Sequence, residues 1–593
     1  MNNRLLDWLA HHQFYLKALL MIYALLVLQH TDSYYAIYMI LGLVSFAELY
    51  RTRSHISDFS IISQVKPLKA YASFDGICLF FALCISLANY RLMGAAHFNP
   101  VKFIFVTLGC YYICKYFLLF LKGLFFDFQW KLTLENSWST KRTFGISFSL
   151  IVVVDVVFLL WGSYPGILTP DSVDQVNQIL SGIYSNHHPF WHTQLIRAFI
   201  TIGMSLFPDD LFAGIAAFSL FQIFVMSGIF SFMLMTLSQA KIGNKAVKVI
   251  LAWIVLMPFN IFYSVTLWKN ILFSGMVLLF ATALFRLIHQ IGSKQFNYML
   301  LFASGVLMSI WQSNGIIAFA ITMILLVISL QSKWKAFVGI GLSVIVVSVI
   351  MIGPVLYYLH VRPTEPNEML SIPQQQMSRV LHDGKRVSDK DLETLAHYAN
   401  PQNMKSDYKP YISDPTKGIV HGDYWVSHKA DYFKTWAHIG VRYPQEYVKA
   451  WIDETRGYWN GGYKYWIWSK GIDKIFFNVI DAPYEYKSNP LQKAFYKYGS
   501  IFERNMLVVF ISIGLHVWIL ILLAVYSYKK RKLDWLIAVP ALSVVLTLLI
   551  STPVFSEFRY AYSVFLTVPL MITAAFYEGK KAQDNLPQVI HKK

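Results

Sequence analysis

The sequence has few charged residues for its length. Asp, Glu, Lys and Arg make up 14% of its 593 residues, whereas about a quarter is usual in soluble proteins. Hydrophobic residues make up 56%, and the mean hydropathy is +0.45. These values exclude an ordinary cytosolic enzyme and a disordered chain. Apolar segments of membrane-spanning length recur along most of the sequence, which indicates a polytopic α-helical membrane protein.

Cysteines and the common nucleotide-binding motifs are also scarce. All four cysteines lie in apolar segments, and none lies in the polar region 360–505: Cys78, Cys84, Cys110 and Cys114. None has the CxxC spacing of a metal site. No GxGxxG motif or P-loop precedes a plausible helix, so we do not expect a Rossmann-type site for a nucleotide sugar. No internal repeat stands out.

About fourteen apolar segments are predicted to span the membrane. They lie near residues 13–30, 33–50, 72–90, 101–121, 144–163, 211–236, 247–265, 268–288, 296–311, 314–331, 335–358, 506–527, 534–551 and 558–577. The first lacks a cleavage pattern, so we expect a retained helix and not a signal peptide. The chain then divides into a four-helix extension (1–143), a transmembrane core (144–359) with a first outer loop (164–195), an extracellular domain (360–505) of mixed or mostly helical structure, and three C-terminal helices with a cytoplasmic tail (506–593).

The distribution of basic residues predicts the orientation. The formal net charge is +18, and most of the excess lies in short loops between apolar segments. These basic loops all fall on one side: 51–71, 122–143, 241–248, 333–335 and 529–532. By the positive-inside rule this side is the cytoplasm, so both termini are expected inside the cell. The basic excess is therefore attributed to membrane topology and not to nucleic-acid binding.

The loop after the fifth segment is rich in groups that can do chemistry. Asp171 and Asp174 would lie one turn apart on a short helix that begins at Pro170, with Thr169 as a possible N-cap. His187, His188 and His192 follow within 18 residues of Asp174. The two aspartates could instead only stabilise the helix N-terminus. The histidines could ligate a metal, hold a phosphate as imidazolium, or pack as buried structural groups.

Four further polar motifs interrupt apolar sequence, and the predicted topology places all of them at the outer face. They are Trp268-Lys269-Asn270, Gln312-Ser313-Asn314-Gly315, Ile372-Pro373-Gln374-Gln375-Gln376 and Ser556-Glu557-Phe558-Arg559-Tyr560. Lys269 and Arg559 could form a cationic clamp for a lipid phosphate, with His187 and His188 assisting; they could also be interfacial anchors. Asn314, Gln374, Gln375, Glu557 and His192 are candidates for substrate binding. The aromatic stretch 458–468 could bind a glycan or form an aromatic belt.

In these motifs the sequence resembles a bacterial family of polytopic proteins of uncharacterised function that is grouped with the GT-C glycosyltransferases. The resemblance covers roughly 144–577 and is carried by YPG-xxx-PDS, HHP-xx-HT, WKN, SNG, IPQQQ and EFRY. It implies a GT-C-like fold and a sugar donor linked to polyprenyl phosphate or diphosphate. It also implies an inverting transfer, a catalytic carboxylate at Asp171 with Asp174 as second candidate, and in some members Mg²⁺ or Mn²⁺.

The sequence therefore predicts a membrane glycosyltransferase of the bacterial cell envelope. Its acceptor would be a cell-surface glycan, a glycolipid or a protein, and membrane lipids would surround it. A transporter or flippase of a lipid-linked oligosaccharide is the main alternative, and a buried charge such as Asp155 with a partner at the membrane midplane would favour it. A non-catalytic scaffold that uses residues 360–505 is the third possibility.

Overall fold

The computed structural model describes residues 3–32, 34–52, 68–94, 98–123, 138–479, 489–530 and 532–577. These residues are almost entirely helical, and within these ranges extended backbone occurs only as isolated bridges. The helical fold class predicted from the sequence is thus confirmed. Arg53, Lys66, Lys131 and Arg531, which contributed to the predicted orientation, and the tail 578–593 lie outside these ranges.

The N-terminal extension consists of four helices that share one apolar core. They are α1 (Asn3–Leu28), α2 (Tyr35–Arg51), α3 (Leu68–Ala88) and α4 (Pro100–Lys122). Helix α4 packs against the other three. It starts where Pro100 occupies the first turn and the Asn99 side chain accepts a hydrogen bond from the Lys102 amide at 3.0 Å, a favourable N-terminus.

The next eleven helices follow, and most of them pack into the same large apolar core as the extension. They are α5 (Thr140–Val157), α6 (Pro170–Ser181), α7 (Phe190–Leu206), α8 (Leu211–Gln239), α9 (Asn244–Leu256), α10 (Pro258–Ser264), α11 (Lys269–Ile288), α12 (Lys294–Trp311), α13 (Gly315–Ser329), α14 (Trp334–Ile352) and α15 (Pro354–Tyr358). Helix α11 is buried along nearly its whole length between α8 and α12. Helices α9 and α10 bend by 60° at Pro258, since proline cannot continue the hydrogen-bonding pattern.

The first part of the polar region 360–505, from Leu370 to Tyr447, folds around a second, separate apolar core, whereas Tyr458, Trp468, Phe476 and Phe502 pack into the large core. Its helices are α16 (Ser371–His382), α17 (Asp389–Tyr398), α18 (Pro401–Ser406), α19 (Asp414–Lys417), α20 (Gly422–Ser427), α21 (Lys429–Arg442), α22 (Pro444–Trp459), α23 (Lys474–Val479) and α24 (Pro490–Phe502). The chain ends with α25 (Ile513–Lys529), α26 (Val539–Ile550) and α27 (Tyr562–Phe576). Helix α27 packs against α11 and α25, which brings the C-terminus of the described chain into the central core.

Six of the described helices are long and apolar enough to cross a membrane, or seven if the bent pair α9–α10 counts as one span. Five shorter apolar helices accompany them, in α1, α3, α13, α25 and α26. These features are those of a helical membrane protein. A helix lies in each of the fourteen segments predicted from the sequence; the number of crossings and their orientation remain predictions.

The backbone near α6 is fixed by two short pairings with distant segments. Ile167 pairs with Thr266, and Leu168 pairs with Ile472. The amide of Ile167 donates to the carbonyl of Val265 at 2.8 Å. These pairings place the first turn of α6 directly beside the start of α11 and beside the segment that leads into α23.

Gly166 makes this pairing possible. Its φ is +145°, and a Cβ there would lie 2.4 Å from Ser219 Oγ and 3.0 Å from the Val265 carbonyl oxygen. The Ser219 hydroxyl donates to the Pro165 carbonyl at 3.0 Å, so it cannot move away without losing that bond. We expect Gly166→Ala to destabilise the fold by about 1–3 kcal/mol, measured as a lower thermal unfolding midpoint in detergent.

Gly182→Ala is the matched control for this substitution. Gly182 also has a positive φ, +71°, but a Cβ there would meet nothing within 4 Å. Gly182→Ala should therefore lower the free energy of unfolding only by the conformational strain, roughly 1 kcal/mol. Equal losses of stability in the two variants would contradict the steric role assigned to Gly166.

Candidate functional site

Helix α6 is anchored at its N-terminus by side chains that bond outside the helix. Thr169 occupies the N-cap position, but its hydroxyl makes no capping bond; it accepts a hydrogen bond from Trp268 Nε1 at 2.6 Å. The predicted N-cap position of Thr169 is therefore confirmed, although its side chain caps no backbone amide. The Ser172 hydroxyl donates to the Leu267 carbonyl at 2.7 Å. Both bonds hold the first turn of α6, and with it Asp171, against the segment that precedes α11.

Asp171 forms an ion pair with Arg559, which lies 388 residues away in the sequence. The distance from Arg559 Nη1 to Asp171 Oδ2 is 2.7 Å, and Arg559 Nε lies 3.0 Å from Glu557 Oε1. The guanidinium carbon is 4.8 Å from the centroid of the Trp268 ring, a favourable cation–π distance. Glu557 and Arg559 are buried, whereas 27% of the Asp171 side chain is exposed. Of the two carboxyl groups that contact Arg559, Asp171 is therefore the one that a ligand can reach.

Lys269 and the histidine motif lie next to this ion pair. Lys269 Nζ donates to His188 Nδ1 at 3.2 Å, and His188 Nε2 is 3.5 Å from Asp174 Oδ2. Lys269 also interacts electrostatically with Asp171 and Arg559. We call Asp171, Lys269, Glu557 and Arg559 the charged cluster. The cluster contains two carboxyl groups and two cations, which were predicted from three separate motifs.

The environment separates the acid–base behaviour of the two carboxyl groups. Burial opposes ionisation of Asp171, but the Arg559 guanidinium together with His188 and Lys269 outweighs it, and these groups hold the pKa of Asp171 well below its usual range. Burial dominates at Glu557 and raises its pKa to about 7, although Arg559 partly opposes this shift. Asp171 is thus a carboxylate at neutral pH, whereas Glu557 exchanges a proton near neutrality.

Burial and the Lys269 ammonium lower the pKa of His188 well below its usual value. His188 is therefore neutral near pH 7, and its Nδ1 accepts a hydrogen bond from the Lys269 ammonium. A neutral His188 could assist a phosphate only by a hydrogen bond from its other nitrogen. The predicted imidazolium form of His188 does not fit this environment.

The shifted pKa of Glu557 predicts a specific pH dependence of stability. A folded pKa of about 7 lies above the unfolded value, so Glu557 favours the folded state fully only at low pH. This contribution is lost as the pH rises towards 7, by roughly 3 kcal/mol in total. We expect the unfolding midpoint of wild type, relative to Glu557→Gln, to fall between about pH 4.5 and 7 and to stay constant above.

The comparison with Glu557→Gln also isolates the effect from other groups. The lowered pKa of His188 acts in the opposite direction, because its contribution is lost below about pH 6.5. It is the same in both proteins and cancels in the difference. A difference in unfolding midpoint that does not change with pH would contradict the protonation assigned to Glu557.

The other predicted histidines differ in accessibility. His187 is exposed, and its ring meets that of His188 with 4.7 Å between centroids. His192 is buried, and its Nδ1 contacts Gln175 Nε2 at 3.0 Å. His192 Nε2 has no hydrogen-bond partner among the residues that the structure describes. Its burial fits a structural group as well as it fits a ligand contact.

The predicted amide ligands are occupied by contacts within the protein. Asn314 donates to Thr547 Oγ1 at 2.6 Å, and Gln374 accepts from the Tyr432 hydroxyl at 2.9 Å. Gln375 donates to the carbonyls of Lys409 and Ile412 at 2.7 and 3.0 Å. These bonds connect α13 to α26 and α16 to neighbouring parts of the polar region. Substrate binding by these three residues stays a prediction.

Three residues of the polar region reach the charged cluster and were missed from the sequence. Lys417 Nζ contacts Glu368 Oε2 at 2.5 Å and Asp414 Oδ1 at 3.0 Å. Glu368 and Lys417 interact electrostatically with Lys269, and Asp414 with Glu557. Nothing local distinguishes these residues from the ordinary charged surface of a domain, so no sequence signal identified them.

Within the described ranges, no group of three or more His, Cys, Asp or Glu side chains is arranged to hold a metal ion. The partners of Asp171 and Asp174 are instead the Arg559 guanidinium, the Gln178 amide and His188. The chemistry that can be assigned here is that of carboxylates and fixed cations.

A family model matches residues 180–588, which is more than half of the chain; it is described as a family of unknown function, DUF6020. The protein belongs to this family. The matched region includes His188, Lys269, Glu557 and Arg559, and it begins after Asp171. No curated protein matches the chain, and no solved structure matches it.

Proposed function

We propose that the protein is a GT-C-type glycosyltransferase of the bacterial cell envelope. It would transfer a sugar from a polyprenyl-phosphate or polyprenyl-diphosphate donor to a glycan, glycolipid or protein acceptor at the outer membrane face, with inversion. In this proposal the chain crosses the membrane about fourteen times, both termini lie in the cytoplasm, and residues 360–505 lie outside the cell.

The observation that carries the proposal is the Asp171–Arg559 ion pair with Lys269 beside it. Glycosyl transfer needs a group that takes the proton of the acceptor hydroxyl. It also needs positive charge on the leaving phosphate. The charged cluster supplies a partly exposed carboxylate and two buried or partly buried cations within one set of contacts. Buried charges of this kind are costly unless they are paired or serve a site.

The ion pair also suggests how the donor activates the base. In the pair, Arg559 lowers the basicity of Asp171. A donor phosphate that binds Arg559 and Lys269 competes for the guanidinium, and the basicity of Asp171 then rises. The acceptor oxygen attacks the anomeric carbon, the bond from that carbon to the phosphate oxygen breaks, and Asp171 takes the acceptor proton. Polyprenyl phosphate leaves with its negative charge held by the two cations.

Transport is less well supported than transfer. Asp155 lies in α5 and is buried, as a transporter residue would be. Its neighbours in the described structure are the hydroxyls of Ser264 and Tyr562 and not a basic side chain. The ion pairs of the charged cluster instead involve residues at the ends of α6, α11 and α27. These positions suit a site at the membrane face better than a pathway through it.

The test uses purified full-length protein in nanodiscs with a panel of polyprenyl-phosphate sugars and a mixture of cell-envelope acceptors. Donor consumption and product are followed by mass spectrometry. We expect one donor to be consumed, with a glycosylated product whose anomeric configuration is inverted. Movement of intact donor across a vesicle membrane without cleavage would overturn the proposal in favour of transport. Absence of both donor binding and turnover would overturn it in favour of a scaffold.

A further inference from the structure

A second concave site lies next to the charged cluster. It is a cavity of about 390 Å³ between the loop after α1, the segment that follows α22, and the loop between α26 and α27. This volume falls in the range of about 300–1,000 Å³ that is usual for small-molecule sites. We call it the aromatic cavity, because Tyr34, Tyr411, Tyr463, Tyr465 and Phe555 contribute to its wall.

Phe555 forms the centre of the aromatic wall. Its ring centroid lies 5.8 Å from that of Tyr411, 6.0 Å from that of Tyr463 and 6.2 Å from that of Tyr465. Tyr411 and Tyr465 are 46% and 38% exposed. Exposed aromatic rings in a concave site indicate a ligand with apolar faces. The hydroxyls of Tyr34 and Tyr463 bond within the protein, whereas those of the exposed Tyr411 and Tyr465 add hydrogen-bonding groups along the same wall.

The charged side chains that line the cavity all take part in ion pairs. Arg456 Nη2 lies 2.6 Å from Asp32 Oδ2, and Lys464 Nζ lies 3.4 Å from Glu503 Oε2. A strongly charged ligand would have to break these pairs, so the cavity suits a neutral ligand. Arg456 is buried, with only 4% of its side chain exposed. Its Nε is buried too and has no hydrogen-bond partner among the described residues, so the side chains that a ligand can reach in this cavity are chiefly the exposed Tyr411 and Tyr465.

The aromatic cavity lies close to the charged cluster. Phe555 precedes Glu557 by two residues and Arg559 by four. Tyr465 interacts electrostatically with Glu557 and Arg559 as well as with Tyr411. The next residue along, Trp466, packs edge-to-face on Trp268 with 5.4 Å between centroids, and Trp268 is the ring that contacts Arg559. The cavity and the cluster are therefore linked through Phe555, Tyr465 and the Trp466–Trp268 contact.

We propose that the aromatic cavity binds the acceptor, and that this acceptor is a neutral saccharide chain. Sugar rings combine apolar faces, which stack on aromatic rings, with hydroxyl groups, which suit the exposed Tyr411 and Tyr465. This inference rests on the proposed transferase function, since it assigns the second substrate of the same reaction. It also gives the N-terminal extension a function, because Asp32 and Tyr34 complete the cavity.

The test measures saccharide binding without any donor. The full-length protein in nanodiscs is titrated with neutral oligosaccharides of glucose, galactose, mannose, rhamnose and N-acetylhexosamines, and with uronic-acid oligosaccharides for comparison. The variant is Tyr411→Ala/Tyr465→Ala, which removes exposed rings. The control is Tyr358→Ala, which removes an exposed tyrosine outside the cavity (80% exposed). We expect a neutral saccharide to bind, and the double variant to bind it at least about tenfold more weakly.

The outcomes separate this inference from the proposed function. Saccharide binding is measured without donor, so its result does not depend on whether transfer takes place. Binding that persists while no donor is ever consumed would support the cavity and overturn the transferase. Binding that is equal in wild type and the double variant would overturn the cavity assignment. Preference for uronic-acid chains, or no binding by any saccharide, would overturn the neutral saccharide as its ligand.

Discussion

Asp171→Asn should lower donor turnover by about 10²–10⁴-fold, the usual contribution of a general base, while the protein stays folded. The amide keeps the size of the side chain but cannot accept the acceptor proton. Folding should survive, because Arg559 retains its contact with Glu557. Loss of the Asp171 charge also removes one of the causes that raise the pKa of Glu557. Glu557 then ionises more readily, and its negative charge balances the positive charge of Arg559.

The comparison variant for this prediction is Asp174→Asn. Asp174 lies one turn further along α6, with 48% of its side chain exposed, and it accepts a hydrogen bond from Gln178 at 2.7 Å. It does not contact Arg559, so its loss should affect turnover far less. Turnover is measured by mass spectrometry, and folding by the unfolding midpoint of each variant. Normal turnover in a folded Asp171→Asn protein would refute the assignment of Asp171 as the general base. A severe loss of turnover only in Asp174→Asn would assign that role to Asp174.

The main elements of the charged cluster could be predicted from the sequence because topology restricts where polar residues can lie. Once the apolar segments are counted, the Asp171, Lys269 and Arg559 motifs all fall at the same predicted membrane face. The structure brings these three residues together across 388 residues of sequence. Hydrophobic periodicity and the cost of charge near the membrane were sufficient for this result.

The rest of the site depends on tertiary packing that has no local signal. Gln375, a predicted substrate ligand, bonds to the Lys409 and Ile412 carbonyls within the polar region, and these contacts have no signal in the sequence. Lys417 approaches Lys269 only because α19 lies beside the loop that leads into α27, where Ser413 pairs with the Pro553 carbonyl at 2.9 Å. Such long-range pairings cannot be read from a single sequence, because the residues involved have ordinary composition and spacing.

The same limit applies to the N-terminal extension. Its four helices were predicted, but no role for them followed from their apolar sequence. The role emerges from contacts made by the loops between helices: Asp32 pairs with Arg456, and the Tyr34 amide donates to the Gly462 carbonyl at 2.7 Å. The extension lies outside the region matched by the family model. It therefore adds a wall to a cavity whose other walls lie within the matched region.

Arg559→Ala should affect both stability and donor use, and the two effects can be separated. Removal of the guanidinium leaves Asp171 and the buried Glu557 without their shared partner, and loss of one member of a buried pair costs about 3–5 kcal/mol. The KM for donor should also rise much more than the KM for acceptor, because the phosphate loses its main cation. Arg559→Lys should be intermediate, since an ammonium keeps the charge but cannot contact both carboxyl groups and stack on Trp268 in the same way.

The double variant Arg559→Ala/Glu557→Gln distinguishes a structural from a functional role for Arg559. Glutamine removes the buried carboxyl that would otherwise lie unpaired, so the unfolding midpoint should recover a large part of the loss. Donor affinity should not recover, because no cation has been restored at the phosphate. These quantities are measured as the unfolding midpoint and the donor KM of all four proteins in nanodiscs. If the double variant regains both stability and donor affinity, Arg559 only neutralises Glu557, and the proposed phosphate site must be placed elsewhere.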